Sequence, residues 1–161
     1  MNQIASLLPP ANIQLDLAVG SKAGLFDAVG TLFEANRGLS RSTVVGSLAA
    51  REKLGSTGLG QGVAIPHGRI KGLKEALGAF VRLAQPVPFD AADGKPVDLV
   101  LALLVPEHTT EKHLEILSEL AQMFGDRALR EALRGTADAA ALHQIISAWQ
   151  PDAAGKRRAA A

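Results

Sequence analysis

The chain contains no cysteine, which excludes disulfides, thiolate catalysis and zinc sites built on cysteine. It also has no excess of charge of either sign. Lys and Arg number 17 against 16 Asp and Glu, so the net charge of +1 gives no electrostatic case for nucleic acid or an anionic membrane as the main partner. No window approaches the roughly 18 consecutive apolar residues of a membrane span, and the N-terminus lacks a basic segment leading into an apolar run. Neither membrane insertion nor export by an obvious signal is expected, and a cytoplasmic setting fits. No internal repeat or second domain is visible. With 161 residues, 47% of them apolar, the chain is expected to fold as one globular domain over residues 1–150, followed by a disordered tail over 151–161, which has no apolar periodicity.

The apolar pattern alternates between strand and helix signals. Ile13 to Leu17 reads as a short strand entered through Pro9 and Pro10. Ser21 is the expected N-cap of a helix that carries Leu25, Val29, Leu32 and Phe33 and stops at Gly38. Ser40 or Ser42 opens a second helix, in which Val44, Leu48 and Arg51 share a face. Val63 to Ile65, Leu77 to Leu83 and Val97 to Val105 read as strands, the last two separated by turn chemistry between Asp90 and Pro96. The run from Leu99 to Val105 is apolar at every position, so both its faces should be covered, which predicts helices on each side of a sheet. A helix starting at Thr109 or Thr110 is expected to bury Leu114, Leu117, Leu120, Ala121 and Phe124. Two shorter helices follow, over Arg127 to Leu133 and Asp138 to Trp149.

The chemistry concentrates between Arg51 and Arg69. Gly55, Gly58, Gly60 and Gly62 strip this segment of bulk, and Pro66 and Gly68 are expected to hold His67 in an exposed, restricted turn. An imidazole presented beside bare peptide N–H groups and a nearby cation suits a nucleophile that accepts a charged group such as phosphoryl. Arg51, on the apolar face of its helix, would need an anionic partner or an escape to solvent. His113 falls at the head of a buried helical stripe with 117, 120 and 124, where a core-edge histidine and a functional one are equally compatible with the geometry. Its place at a helix N-terminus, just beyond the central strand, favours function.

Other readings fail on spacing. His108 and His113 are five residues apart and do not share a helix face, so with Glu111 they make a poor metal cluster. His143 lies among Leu142, Ile145 and Ile146 and reads as structural. The glycines do not form Gly-x-Gly-x-x-Gly, no Gly-Lys-Ser/Thr ending is present, and Ser56 does not sit in a Gly-x-Ser-x-Gly elbow.

Taken whole, Arg51-Glu-Lys-x-Gly-Ser-Thr-Gly-x-Gly-x-Gly-x-Ala-Ile-Pro-His-Gly-Arg69 closely resembles the active-site signature of bacterial phosphotransferase-system enzyme IIA domains of the fructose, mannitol and nitrogen-regulatory type. The similarity continues through Pro88-Phe-Asp90, Pro96 to Val100, Leu103 to Pro106 and His113 to Ser118, and covers nearly all of the chain to about Trp149. The resemblance implies an α/β fold, a three-layer α/β/α sandwich around a small mixed sheet. It implies that His67 carries the phosphoryl group as a phosphohistidine of the tele type, although the residues themselves do not choose between the ring nitrogens. By the same resemblance His113 and Arg51 assist at the phosphoryl group, and Ser56, Thr57 and Gln61 bind phosphoryl or partner. No cofactor and no metal are implied. The donor would be a histidine-phosphocarrier protein, and the output either regulatory targets such as sensor kinases and potassium transporters or an enzyme IIB for sugar uptake. The absence of a fused enzyme IIB, enzyme IIC or phosphocarrier segment favours the nitrogen-regulatory branch. Some fructose- and mannitol-type members carry an acidic residue where this chain has Gln61, which leaves the site less negative.

Overall fold

The alternation that is invisible in the apolar run of the central strand becomes explicit in the fold. The computed structural model describes residues 2–108 and 111–150. Its strands are β1 (Ile13–Leu17), β2 (Gly58–Gly60), β3 (Val63–Ala64), β4 (His67–Ile70), β5 (Leu77–Val87) and β6 (Val97–Pro106). Its helices are α1 (Gln3–Leu7), α2 (Lys22–Arg37), α3 (Arg41–Lys53), α4 (Glu111–Phe124), α5 (Arg127–Gly135) and α6 (Ala139–Ala148), with a 3-10 turn over Pro10–Asn12. Leu99, Leu101, Leu103 and Val105 of β6 face one core, together with Phe80 of β5 and apolar side chains of α1, α4, α5 and α6. Val100, Ala102 and Leu104 face the other, against Leu25, Phe26, Val29 and Phe33 of α2 and Val44 and Leu48 of α3. The result is the expected three-layer α/β/α sandwich. Truncating Leu101 or Leu104, both fully buried, would strip packing from one layer at a cost of about 2–5 kcal/mol.

The six strands form one mixed sheet in the order β1-β5-β6-β3-β2, with β4 also paired to β6. β5 and β6 are antiparallel, whereas β1 runs parallel to β5, and β3 and β4 both run parallel to β6. β3 pairs at Leu99 and Val100, and β4 pairs from Leu103 to Pro106. The two are successive pieces of a single edge, interrupted at Ile65 and Pro66. Pro66 has no N–H to give, but its carbonyl accepts from Leu103 N at 2.9 Å, so the edge stays hydrogen-bonded across the break.

Local signals explain most boundaries. Ser21 caps α2 by accepting from Gly24 N at 3.0 Å, and Gly38 closes it in the left-handed region, φ 69°. Of the two candidate caps of α3 it is Ser40 that stands at the N-cap, without a side-chain capping bond. Both candidate starts of α4, Thr109 and Thr110, lie outside the described residues, as does the segment 151–161. α1 was not expected. It is five residues long, too short to show a period, and is held by Asn2, whose side chain caps it and donates to the Ile146 and Trp149 carbonyls, each at 2.7 Å. Beside it Asp126 caps α5 through Ala128 N and accepts from Trp149 Nε1 at 3.1 Å, which ties the start of α5 to the end of α6.

The buried stripe of α4 is rotated from the expected one. His113, Ile116, Leu120, Met123 and Phe124 are buried, whereas Leu114 is 67% exposed, Leu117 is half-buried and Ala121 is exposed. The helix has apolar residues on two adjacent faces, and periodicity alone does not say which of them meets the sheet. Among the described residues, no helix is long and apolar enough to cross a membrane.

Candidate functional site

His67 does not sit in an exposed turn. It opens β4, opposite Leu103, and is half-buried. Its Nδ1 lies 2.9 Å from the Ile65 carbonyl oxygen. A carbonyl can only accept, so this contact requires Nδ1 to carry the proton and leaves the lone pair on Nε2. Burial and the Arg51 cation hold the imidazole pKa below its ordinary 6.5, opposed by the Ile65 hydrogen bond and by Glu52. The ring is therefore held neutral, in one tautomer.

The next residue explains how a cation reaches it. Gly68 is buried, and a Cβ there would collide with the Ser47 side chain and lie 3.0 Å from the Ser47 carbonyl carbon. Its lack of a side chain lets α3 press onto β4, an approach fixed by Ser47 Oγ donating to the Arg69 carbonyl at 2.9 Å. Arg51 is one turn beyond Ser47 on α3, and so overhangs the same edge. It is half-buried, and its Nη1 donates to the Gly55 carbonyl at 2.9 Å rather than to a carboxylate.

His67, Arg51 and His113 line one cleft of about 570 Å³, formed by α3, β4, the end of β6 and the start of α4. Its walls are largely apolar, with Leu54 and Leu114 exposed at its mouth and Arg69 adding a second guanidinium. His113, from the first turn of α4, is 8% exposed. A nucleophilic nitrogen, two guanidiniums and a second imidazole thus face a partly dehydrated space, an arrangement suited to a tetrahedral anion carried on His67.

The other three site candidates do not line this cleft. Ser56 donates its hydroxyl to the Phe89 carbonyl at 2.9 Å and accepts from Gly58 N at 3.1 Å. Thr57 is buried, and its hydroxyl donates to Glu52 at 2.7 Å. Gln61, at φ 59°, lies at the β2–β3 turn, where its N–H donates to Asp93 and its carbonyl accepts from Arg134. The neighbouring Gly62 carbonyl binds Asp98 N and Leu99 N, while His67 pairs at Leu103. Four residues of strand separate those positions, about 13 Å.

Two features of the site were not legible. Glu52, whose side chain is only 6% exposed, accepts from Thr57 N at 3.1 Å and from Lys22 Nζ at 3.0 Å, and so fixes the loop that follows Arg51. Lys22 is at the start of α2 and also lies 4.4 Å from the centre of the Phe89 ring. Nothing in the spacing of the signature points to a partner 30 residues earlier. The second is the contact beneath Gly68, which depends on how two elements dock.

Residues 6–149 match the family model described as phosphoenolpyruvate-dependent sugar phosphotransferase system, EIIA 2. The chain is 41% identical over 147 residues to a nitrogen regulatory protein of Pseudomonas aeruginosa, an alignment covering 91% of this chain and 96% of that protein. It is 33% identical over 134 residues to a phosphotransferase-system fructose-specific EIIA component of Haloferax volcanii, covering 83% and 87%. The crystal structure of nitrogen regulatory protein IIA-Ntr from Neisseria meningitidis matches with a TM-score of 0.85 at 53% identity, over 89% of this chain and 99% of that one. On fold, signature and sequence together, the chain belongs to the EIIA 2 family of the phosphoenolpyruvate-dependent sugar phosphotransferase system.

Proposed function

We propose that this protein is a phosphohistidine carrier, in which Nε2 of His67 accepts a phosphoryl group from the phosphohistidine of a small phosphocarrier protein. The observation that carries this reading is the Nδ1 contact with the Ile65 carbonyl, which leaves Nε2 as the nitrogen with a lone pair in a cleft shared with Arg51 and His113. In the transfer the donor's N–P bond breaks as the Nε2–P bond forms. The donor imidazole leaves with the electron pair, and the His67 ring takes up positive charge. That charge is met by the Ile65 carbonyl at Nδ1–H, while Arg51 and His113 face the phosphoryl oxygens. Both donor and acceptor are imidazoles, so the exchange is near balance and requires no nucleotide.

The output is regulatory on this reading, because the relatives at 41% and 53% identity carry nitrogen-regulatory names. The fructose-specific relative at 33% identity supports a second reading, onward transfer to an enzyme IIB during sugar uptake. Phosphorylation adds about −1.5 to −2 charges beside Arg51 and Arg69, enough to change which partner the cleft mouth accepts.

The test is incubation with phosphoenolpyruvate, the general phosphotransferase enzyme and a phosphocarrier. One acid-labile, base-stable phosphoryl group per chain is expected, with a phosphorus resonance characteristic of Nε2 substitution. Label retained by His67→Ala, or located on Nδ1, overturns the assignment. Delivery of the group to an enzyme IIB with a functioning sugar permease selects the transport reading.

A further inference from the structure

The half of the signature that does not reach His67 borders a second cleft, of about 740 Å³, between the β2–β3 turn and the junction of α4 with α5. One wall is apolar, made of Leu59, 43% exposed, and the exposed Ala121 of α4, with Phe124 buried behind them. The other is the face of α5 on which Arg127, Arg130 and Arg134 recur at i, i+3 and i+7, so that three guanidiniums line a single stripe. Their partners are unequal. Arg134 is bonded to Asp98 and to the Gln61 carbonyl, and so holds α5 against the β2–β3 turn. Arg127 makes a solvent-exposed pair with Glu131, its side chain 83% exposed. Arg130 donates to the Phe124 carbonyl at 2.8 Å and has no carboxylate partner among the described residues. Among the described residues, Glu131 is the only acidic side chain lining this cleft, so the stripe carries a surplus of positive charge.

We propose that this cleft is a second docking site, for an acidic segment of a partner protein that sets carboxylates against Arg127 and Arg130 and an apolar side chain against Leu59 and Ala121. Charge complementarity selects the occupant. Arg127, held only in a solvent-exposed pair, and Arg130, bonded to a carbonyl, favour carboxylates in bidentate geometry, and the apolar wall rewards a peptide over a bare anion. The site lies at the far end of α4 from the cleft that contains His67. His113 and Phe124, which mark the two ends, are 11 residues apart in the helix, about 16 Å. A partner held here would stay bound whichever form His67 takes, and the docking does not depend on the phosphocarrier reading.

The probe is a synthetic peptide of about a dozen residues alternating Glu pairs with Leu and Phe, titrated into isotope-labelled protein by NMR. The expected result is movement of the amides of Gln61, Gly125 and Arg130, with binding weakened by salt. Arg127→Glu with Arg130→Glu should weaken binding at least 10-fold, whereas His67→Ala should leave it unchanged. Arg134 is left in place because it joins α5 to the β2–β3 turn, and Arg127→Gln with Arg130→Gln serves as a milder pair should the charge reversal perturb the fold. Shifts confined to the His67 cleft, equal binding of a Lys-substituted peptide, or equal binding of inorganic phosphate would each overturn the proposal.

Discussion

The two ends of the stretch from Gln61 to Arg69 make different uses of the same backbone. At the His67 end the peptide groups orient one imidazole. The Ile65 carbonyl fixes its tautomer, the Pro66 carbonyl bonds to β6, and Gly68 admits α3. At the Gln61 end the peptide groups are consumed by side chains from elsewhere, Asp93 and Arg134, and what the turn offers outward is a wall beside three arginines. A motif that is continuous in sequence is thus divided between two clefts, because β3 and β4 follow one another along a single edge of β6.

Substitutions should separate these ends. The largest effect is expected for His67→Ala, which should abolish phosphoryl uptake, while Arg127→Glu with Arg130→Glu leaves uptake within twofold. Comparable losses in both would collapse the distinction. Arg51→Ala and His113→Ala come next. Each should slow transfer about 10²-fold, the scale of losing one preorganised charge-stabilising group, and single-turnover rates with a phosphorylated carrier would measure it. Gln61→Ala, at the other end, should change that rate little.

Stability provides a third contrast. Glu52→Ala leaves the Thr57 N–H without its carboxylate and the Lys22 ammonium with the exposed Asp90 at 3.7 Å, and should cost about 2–4 kcal/mol in denaturant melts, below the fully buried limit because Lys22 is partly wet. Gly68→Ala forces α3 away from β4 and should cost about 1–3 kcal/mol while also slowing transfer through Arg51.

The smallest effect is expected from pH. The unfolded chain protonates His67 near 6.5, and the folded chain only at a lower pH, because burial and Arg51 oppose the charge. The stability associated with this shift is present above the unfolded value and is lost as the pH falls through the lower folded value. His67→Ala should therefore flatten the acid side of the stability profile. Imidazole NMR should find Nδ1 protonated and Nε2 bare at neutral pH, with the ring titrating below its ordinary value. A titration at or above the ordinary value contradicts this.

Much of the architecture was legible. β1 has the residues the sequence suggested, and α2 has the expected cap and stop. The unbroken apolar run of β6 correctly required cover on both faces. β2 and β4 were not foreseen, since Gly58-Leu-Gly60 and His67-Gly-Arg-Ile70 are too short to show a period and too rich in glycine to favour a strand on their own, and are fixed by pairing with neighbours. The same cause hid the true setting of His67. Proline and glycine favour turns in general, but at Pro66 and Gly68 they serve an edge strand and a close helix contact. For α4, His113 was placed at the head of the buried stripe and is buried there. Leu114 was assigned to that stripe and instead stands at the mouth of the cleft.

The hydrogen bond from Trp149 to the carboxylate that caps α5 also supplies an optical instrument. The chain has one tryptophan and no tyrosine, so its near-ultraviolet emission comes from a single indole with no background from phenol rings. That indole reports the electric field at the head of the arginine-bearing helix. Titrations at the second cleft can be followed on the unlabelled, unmutated protein, as a shift in emission wavelength.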